Sequence, residues 1–333
     1  MIEVLRPGLL TTVQDLGRAG FRDQGVPIGG AADRVALRVA NLLVGNPEGA
    51  AGLEMTLAGP RLHFTRDTLI ALGGAEMHAE LDGTPVGFWR PVRVRAGATL
   101  DVGGARAGCR AYLACAGGID VPPVLGSRST YSPTSFGGLN GRPLRTGDHL
   151  PVGRASALAD AVIAAIRREG RGNGASPWFV GPAALPAYGP DPELLLIPGS
   201  HAAALTPEGR ALLFGGRFRV SPRSDRMGCR LDGPALALAE PLELTSEGVA
   251  PGTVQLPPGG SPIVLGADGG TTGGYPRVGH VATVHHPLLA QLRPGDTLRF
   301  RETTIQEAHL LLRAREREIA RLAHAIRLRA ARI

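Results

Sequence analysis

The sequence reads Asp268-Gly269-Gly270-Thr271-Thr272-Gly273-Gly274-Tyr275-Pro276 directly after the apolar run Ile263-Val264-Leu265. These nine residues hold four glycines, two threonines, one carboxylate and one aromatic ring. Because glycine adopts positive φ without strain and carries no Cβ, this composition is typical of a loop whose backbone closely approaches another group. The threonine hydroxyls and Asp268 can hydrogen-bond to a polar ligand. A tight hairpin without a ligand has the same composition, and the stretch alone favours neither interpretation.

The overall composition is that of a globular protein rich in turns. The 333 residues are enough for two domains. A hydrophobic content of 43% with 20% charged residues provides the apolar mass for buried cores. The 48 glycines and 28 prolines are spread between short apolar runs. This distribution indicates many turns between short strands rather than disorder.

The formal net charge of +7 is concentrated near the C-terminus. Residues 313–333 contain seven arginines and two glutamates, whereas the rest of the chain is close to neutral. No basic stripe extends beyond this tail, so we do not expect a nucleic-acid partner.

The cysteine pattern and the N-terminus bear on where the protein is located. The three cysteines have no CxxC spacing and no zinc-binding pattern, so we expect reduced thiols. The N-terminus lacks the basic and apolar regions of a signal peptide, and no stretch approaches the length needed to cross a bilayer. We therefore expect a cytoplasmic protein with no membrane partner.

Short apolar runs bounded by glycine or proline predict β-strands over much of the chain. The clearest lie at residues 69–72, 92–95, 110–114, 194–197, 263–265 and 297–300. A phrase made of an arginine, a glycine turn and a return to leucine occurs at residues 95–100, 145–150 and 293–298. This repeat predicts a hairpin unit. We expect a mainly β fold with a few helices.

Three helices are predicted. The first begins after a cap at Asp33 and ends near Val44, and the second runs from about Ser156 to Arg168. Residues 171–177 form the clearest linker in the chain. The third helix runs from about Thr304 to the C-terminus and could pack on the body or on a partner. Its apolar face contains Leu312, Ile319, Leu322 and Ile326.

The first half contains polar residues in glycine-rich turns. Asp15 and Arg18 lie in the stretch Gln14-Asp15-Leu16-Gly17-Arg18, and Asp33 ends the stretch Gly29-Gly30-Ala31-Ala32-Asp33. A local ion pair and a helix cap would explain these residues without a ligand. The later stretch Gly126-Ser127-Arg128-Ser129-Thr130-Tyr131 adds hydroxyls and a forked donor that suits a carboxylate or a phosphate.

The second half contains the stretch Ser224-Asp225-Arg226-Met227-Gly228, followed by Gln255 and then by the loop at residues 268–276. Taken in order, the blocks of both halves resemble the carboxyltransferase-like proteins of the allophanate hydrolase subunit 2 type. This family includes the C subunit of the ATP-dependent 5-oxoprolinase, the sporulation regulator KipA and one half of the carboxyltransferase domain of urea carboxylase. The resemblance covers residues 2–305.

The resemblance implies a fold and a set of partners. It implies two β-rich subdomains, at least one a cyclophilin-like β-barrel. We assign carboxyltransferase subdomain A to residues 1–154, a helical connector and linker to 155–177, subdomain B with the cyclophilin-like barrel to 178–303, and an Arg-rich C-terminal helix to 304–333. It also implies pairing with a homologous B subunit, of the KipI-like, allophanate hydrolase subunit 1 type, and an active centre near their junction.

The resemblance also carries functional positions onto this chain, residue by residue. The positions expected to be catalytic are Asp225, Arg226, Arg128 and Asp268. The positions expected to bind substrate are Asp15, Arg18, Asp33, Ser127, Ser224, Gln255, Thr271, Thr272, Gly273 and Tyr275. None of these positions is expected to bind a metal.

The sequence departs from the family pattern in three places. Gly29 stands where the family usually has serine, Gly270 where it has glutamine, and Ser200-His201 where it has Pro-Gln. Losing the serine and the glutamine removes two hydrogen-bonding side chains. Each would cost about 1–3 kcal/mol if the family uses it on a ligand or a transition state. The departures concern substrate and catalytic competence rather than the fold.

This chain is not expected to bind a cofactor by itself. The sequence has no GxxxxGK[ST] motif and no lysine, so it lacks a Walker lysine and a biotinyl-lysine acceptor. ATP would be bound by a partner subunit, and biotin by a partner carrier. His285 and His286 do not suit joint metal ligation if they lie on a strand, where adjacent side chains point to opposite faces.

Three functional hypotheses follow from the resemblance. The leading one is the C subunit of ATP-dependent 5-oxoprolinase, a lactam hydrolase active only in complex with the A and B subunits, which converts 5-oxo-L-proline to L-glutamate. The second is the carboxyltransferase component of a biotin-dependent carboxylase acting on urea or another amide. The third is a KipA-like regulatory binding protein without turnover. Neighbouring genes would separate the first two.

Overall fold

The computed structural model describes residues 1–168 and 173–331 of the chain. The chain divides into two compact units. The first comprises Met1–Arg18, Asp33–Ala187 and Arg317–Ile333, and the second comprises Ala19–Ala32 and Tyr188–Glu316. Each unit is built around its own sheet and its own hydrophobic core.

The strands of the first unit are β1 Ile2–Arg6, β2 Leu10–Gln14, β3 Gly52–Thr56, β4 Arg61–Phe64, β5 Thr68–Leu81, β6 Thr84–Pro85, β7 Val92–Val94, β8 Thr99–Cys115, β9 His149–Leu150 and β10 Gly174–Ala175. The strands of the second unit are β11 Glu193–Pro198, β12 Phe218–Val220, β13 Gly228–Asp232, β14 Glu247–Gly248, β15 Thr253–Gln255, β16 Ile263–Leu265, β17 Thr272–Gly273, β18 Arg277–Val281 and β19 Thr297–Glu302. The α-helices are α1 Arg34–Leu43, α2 Ala157–Arg168, α3 Pro207–Gly215, α4 His286–Ala290 and α5 Ile305–Ala331.

The strands of the first unit form one sheet around the long antiparallel pair β5 and β8. The main order is β10-β7-β5-β8-β4-β1-β9, with β2, β3 and β6 attached beside it. At the start of β5, Ile70 and Leu72 pack into one core, while Leu69 and Ala71 pack into another. Because side chains alternate along a strand, this division shows that both faces of the sheet are covered here.

Helices cover one of these two faces. Helix α1 begins after the cap at Asp33 and buries Val35 and Val39, as the sequence predicted. The part of α5 within the first unit places Ile319 and Ile326 in the same core. All three predicted helices are confirmed, and the part of α5 from Arg317 onward packs within the first unit through its apolar residues.

Seven strands of the second unit close into a barrel in the order β11-β18-β15-β16-β13-β12-β19. The rings of Phe218 and Phe300 lie 5.7 Å apart in its core. A small separate sheet pairs β14 with β17, which are the strands Glu247–Gly248 and Thr272–Gly273. The predicted fold of two β-rich parts with a β-barrel is confirmed, and the strands predicted in both halves are present.

The three repeated arginine phrases form the same turn. In each one, a backbone N–H donates to the carbonyl oxygen of the arginine three residues earlier, and the glycine has positive φ; the glycines are Gly97, Gly147 and Gly295. Each turn leads into a strand, β8, β9 or β19. The predicted hairpin is wrong, because β7 before the first turn pairs with β5 and not with β8. A local phrase specifies the turn, whereas strand pairing depends on the rest of the sheet.

The linker predicted at residues 171–177 begins outside the described residues. Its later part belongs to the sheet, because Gly174–Ala175 forms β10 and pairs with β7. Within residues 1–168 and 173–331, no helix combines the length and apolar content needed to cross a membrane.

Candidate functional site

The residues predicted to act lie in two groups, one in each compact unit. In the first unit, the carboxylate of Asp15 is the centre of the group. Its Oδ1 accepts hydrogen bonds from the Gly17 N–H at 2.7 Å, the Ser127 hydroxyl at 2.6 Å and the Ser129 hydroxyl at 2.5 Å. Its Oδ2 accepts from the backbone N–H of Arg128 at 2.6 Å. These four donors use the acceptor capacity of a carboxylate, so Asp15 acts as an internal anchor for the 127–129 loop.

The two arginines of this group have different surroundings. Arg18 is 1% exposed, donates from Nη2 to the Ser129 carbonyl at 2.5 Å and lies 4.6 Å from the ring centre of Phe136. Arg128 donates from Nη2 to Asp120 at 2.9 Å, and 39% of its side chain is exposed. Arg18 is therefore part of the packed interior, while the guanidinium of Arg128 can be reached by an anion from solvent.

Asp33 belongs to a different set of hydrogen bonds of the first unit from Asp15. Its carboxylate caps α1 by accepting from the Ala36 N–H at 2.9 Å. Its own N–H donates to the Tyr112 hydroxyl at 2.8 Å, which in turn donates to Glu54 at 2.8 Å. Burial, reinforced by the Glu54 carboxylate, raises the pKa of Tyr112 well above its usual value. Asp33 thus occupies the position of a helix cap within a buried polar network.

In the second unit, Arg226 and Asp268 form a buried ion pair. Arg226 donates from Nε to Asp268 Oδ2 at 2.8 Å and from Nη2 to Asp268 Oδ1 at 2.9 Å. The side chains are only 10% and 3% exposed. Arg226 Nη2 also donates to the carbonyl oxygen of Gly30 at 2.7 Å. The pair therefore joins three segments of this unit, at residues 29–30, 225–228 and 266–269.

The turn before this pair presents Asp225. Its Oδ1 accepts from the backbone N–H groups of Met227 at 2.8 Å and Gly228 at 3.1 Å, and the residue is exposed. Ser224 closes the same turn, since its Oγ accepts from the Arg230 N–H at 3.0 Å. Asp225 is a carboxylate held in place by the backbone, with a second oxygen, Oδ2, that has no hydrogen-bond partner among the described residues.

The glycine-rich loop at 268–276 is anchored from its first residue and then enters β17. The Asp268 N–H donates to the Arg226 carbonyl at 3.0 Å, and the Thr271 carbonyl accepts from the Val249 N–H at 3.0 Å. Thr272 and Gly273 pair with β14, and Thr272 and Tyr275 are exposed. The loop thus contains a short strand that pairs antiparallel with β14.

Gln255 meets this loop at Gly273. A Cβ on Gly273 would lie 2.3 Å from Gln255 Nε2, so the amide would have to move if residue 273 carried a side chain. Gln255 is 6% exposed, and its Nε2 has no hydrogen-bond partner among the described residues. A buried donor without a partner costs about 1–3 kcal/mol, which marks Gln255 as a group able to gain from a ligand or a water.

The three departures from the family pattern have different surroundings. Gly29 is buried with φ +62, a conformation that suits glycine better than a side-chain-bearing residue. Gly270 is exposed, and a Cβ there would meet a carbonyl oxygen at 3.4 Å, an ordinary contact. His201 Nδ1 accepts from the Arg277 N–H at 3.1 Å, and Ser200 lines a cleft.

This cleft, the barrel cleft, was not predicted from the sequence. It belongs to the second unit and has a volume of about 490 Å³. Its lining residues are Arg22, Gly199, Ser200, Gly248, Val249, Ala250, Thr253, Arg277, Gly279 and His280. The one sequence signal that pointed here was the departure at Ser200-His201. The other residues come from separate segments, some on barrel strands, one on β14 and one at Arg22, and only the tertiary structure places them together.

Two histidines of the second unit titrate below the usual range. Burial lowers the pKa of His280, and burial with the nearby Arg301 lowers that of His285. His285 Nδ1 accepts from the Leu195 N–H at 2.9 Å, which requires the neutral ring. His285 and His286 lie where a short 3₁₀ turn enters α4 and not on a strand. The expectation that their side chains point to opposite faces of a strand is therefore wrong.

These pKa shifts predict acid-sensitive stability. As pH falls below about 6.5, these two histidines bind protons in the unfolded chain before they do so in the folded chain, because their folded-state pKa values are lower. The free energy of unfolding therefore decreases. Replacing His280 or His285 by glutamine is expected to flatten this slope between about pH 7 and 5.5. Urea denaturation followed by circular dichroism measures it, with His309→Gln on the exposed face of α5 as control. A slope that both variants leave unchanged would contradict the prediction.

Comparison with known proteins adds relatives of known name. A sequence model described as carboxyltransferase domain, subdomain A and B, matches residues 24–302. The chain is 39% identical to the C subunit of 5-oxoprolinase from Escherichia coli, over 95% of this chain and 94% of that protein. It is 35% identical to the C subunit of 5-oxoprolinase from Haemophilus influenzae, over 95% of this chain and 96% of that protein. The crystal structure of Kluyveromyces lactis urea carboxylase matches with a TM-score of 0.86 and 32% identity, covering 96% of this chain and 29% of that chain.

Proposed function

This chain belongs to the family of carboxyltransferase domains with subdomains A and B, and from that premise we propose that it acts as the C subunit of an ATP-dependent 5-oxoprolinase. The observation that carries the proposal is the end-to-end match to two proteins of that name, at 39% and 35% identity. In this proposal the complex also contains the A and B subunits, assembles in the cytoplasm and opens 5-oxo-L-proline to L-glutamate.

The proposed reaction divides the chemistry between subunits. Resonance makes a lactam carbonyl a poor electrophile, so ATP hydrolysis supplies its activation. This chain has no lysine, and a partner subunit would bind the ATP. What remains for this chain is to bind the lactam, stabilise negative charge on the carbonyl oxygen and move a proton.

The geometry supports different roles for the predicted residues. Asp225 is exposed, and its Oδ2, which has no partner in the described part of the chain, suits a proton acceptor. Arg128 belongs to the first unit, and its partly exposed guanidinium suits the binding of an anion by that unit. Arg226 and Asp268 bind each other through two hydrogen bonds, so we assign them to positioning the glycine-rich loop.

Reconstitution tests this proposal. The chain is co-expressed with the A and B subunits, and glutamate release from 5-oxo-L-proline is measured with and without ATP. Asp225→Asn is expected to lower kcat about 100-fold, the usual contribution of a proton-transfer group. Asp232→Asn, an exposed carboxylate in the same unit, is the control. A complex that releases no glutamate contradicts the function, and an active complex insensitive to Asp225→Asn contradicts the role of Asp225.

A second candidate is carboxyl transfer in a biotin-dependent carboxylase. The structural match to urea carboxylase favours it, since that enzyme contains a region of this fold within a longer chain. Carboxybiotin would come from a separate carboxylase and carrier. Carboxylation of urea by the chain together with those partners, without glutamate release, would support this candidate. Tight pairing with a homologous B subunit and no turnover of either kind would instead support a KipA-like regulatory role.

A further inference from the structure

The barrel cleft contains an excess of positive charge. Arg22 and Arg277 both line it, and no acidic residue is among its lining residues. The guanidinium of Arg277 is partly neutralised, since it pairs with Glu247 and donates from Nη1 to the Gly248 carbonyl at 3.0 Å. The side chain of Arg22 has no hydrogen bond and no ion pair within the described part of the chain. One full positive charge is therefore available at the cleft for an anion.

Neutral donors lie beside this charge. The hydroxyl of Ser200 lines the cleft and lies 3.2 Å from His201 Nδ1. The Thr253 hydroxyl accepts from the Ala250 N–H at 3.1 Å and lies 3.4 Å from His280 Nδ1. His280 Nε2 has no partner in the described residues and can donate to a carbonyl oxygen. A forked cation and several neutral donors together suit a ligand that carries both a carboxylate and an amide.

The glycines that line the cleft are of two kinds: some are required by packing and one is not. Gly199 and Gly279 are required by packing, because a Cβ would lie 2.2 Å from the Arg277 carbonyl oxygen or 2.7 Å from Leu196. A Cβ on Gly248 meets nothing within 4 Å, and its φ is not positive. The fold does not require glycine at 248, although Gly248 lines the cleft.

The glycine-rich loop holds this wall of the cleft in place. Strand β14 contains Gly248 and pairs with β17, and the Val249 N–H donates to Thr271. The loop itself is fixed at its start by the Arg226–Asp268 pair. The glycine-rich loop at 268–276 thus holds the β14 wall of the cleft through strand pairing, within the same compact unit.

We propose that the barrel cleft binds the carboxylate of the small lactam substrate, with Arg22 as its principal ligand and Arg277, Ser200, Thr253 and His280 around the ring. This inference rests on the proposed function for the identity of the substrate. The volume of about 490 Å³ lies in the range of small-molecule sites. The site selects a carboxylate-bearing lactam over a neutral one, because a neutral ligand leaves the charge of Arg22 unpaired.

Two measurements test the cleft. In the first, the reconstituted complex is assayed with 5-oxo-L-proline; Arg22→Gln and Gly248→Val are each expected to raise KM at least tenfold with kcat nearly unchanged. Arg22→Lys is expected to recover part of the affinity, and Arg219→Gln on the barrel exterior is the control. In the second, calorimetry on the full chain compares 5-oxo-L-proline with 2-pyrrolidinone, which lacks the carboxylate. The wild-type chain is expected to prefer the acid, and Arg22→Gln to abolish the preference.

The outcomes separate the cleft from the overall function. If the complex is active and Arg22→Gln and Gly248→Val change neither KM nor ligand preference, the proposal that the cleft binds the substrate is overturned. The proposed function of the complex is then unaffected. If the complex releases no glutamate but the chain still binds 5-oxo-L-proline through Arg22, the proposed function is overturned and the proposed substrate site in the cleft is supported. Absence of both turnover and Arg22-dependent binding overturns both.

Discussion

Replacing Asp268 by alanine is expected to lower the free energy of unfolding of the second unit by about 3–5 kcal/mol, because the variant removes the carboxylate that pairs with the buried charge of Arg226. Arg226 makes two hydrogen bonds to Asp268 at 2.8 and 2.9 Å, and the two side chains are only 10% and 3% exposed. Its hydrogen bond to the Gly30 carbonyl does not neutralise the guanidinium. This loss is a large part of the roughly 5–15 kcal/mol that stabilises a typical domain.

An exposed ion pair of the same chemistry provides the control for Asp268. Arg210 binds both carboxylate oxygens of Glu302 at 2.7 Å, with 43% and 45% of the side chains exposed. Glu302→Ala is expected to cost no more than about 1 kcal/mol, because water solvates both groups. Both tryptophans, Trp89 and Trp178, lie in the first unit, so fluorescence does not report on this change. Hydrogen exchange of barrel amides measures it, and equal effects of the two variants would contradict the prediction.

The Asp15→Asn variant is expected to destabilise the first unit by about 3 kcal/mol. Asparagine keeps the shape of aspartate but replaces one acceptor oxygen by an NH₂ group. That group would face one of the donors that now bind Asp15, either the Arg128 N–H or the Ser127 hydroxyl. The variant therefore loses charge-assisted hydrogen bonds and leaves a buried donor unsatisfied. The 127–129 loop is expected to loosen, which would also displace Arg128.

Tryptophan fluorescence during urea denaturation measures this effect, since Trp89 and Trp178 belong to the first unit. Asp120→Asn is the matched control. Asp120 binds Arg128 at 2.9 Å, but its side chain is 55% exposed, so a change of less than about 1 kcal/mol is expected. Should Asp15→Asn unfold at the same urea concentration as wild type, Asp15 is not the anchor of this loop.

Local sequence rules predicted the elements of the fold well. The cap at Asp33, the helix near 156–168 and the strands bounded by glycine or proline all follow from preferences that act over a few residues, and all are present. The hairpin expected from the repeated arginine phrase is absent, because strand β7 pairs with β5 and not with the strand that follows the turn. Pairing over such distances is decided by side-chain burial across the whole sheet.

For the candidate site too, the sequence identified some features, and others required the tertiary structure. The sequence identified Asp15 with the 127–128 loop, and Arg226 with Asp268, as polar groups in glycine-rich turns, and the structure brings each set together. It did not show which donors inside the protein the oxygens of Asp15 and Asp268 bind. Whether a carboxylate faces a donor or solvent depends on residues that are distant in the chain, such as Ser127 for Asp15 and Arg226 for Asp268.

By itself the sequence determined the β-rich character of the chain, its three predicted helices, the family resemblance and the loop at 268–276. Each depends on neighbouring residues or on ordered blocks that can be compared directly. Only the tertiary structure decided that this loop backs a cleft, and that Arg22, Ser200, Thr253, Arg277 and His280 line it. The physical reason is that the barrel, strand β14 and the turn that contains Arg22 pack together in one unit, which brings residues distant in the sequence to one cleft and leaves the charge of Arg22 without a counter-ion in the described chain.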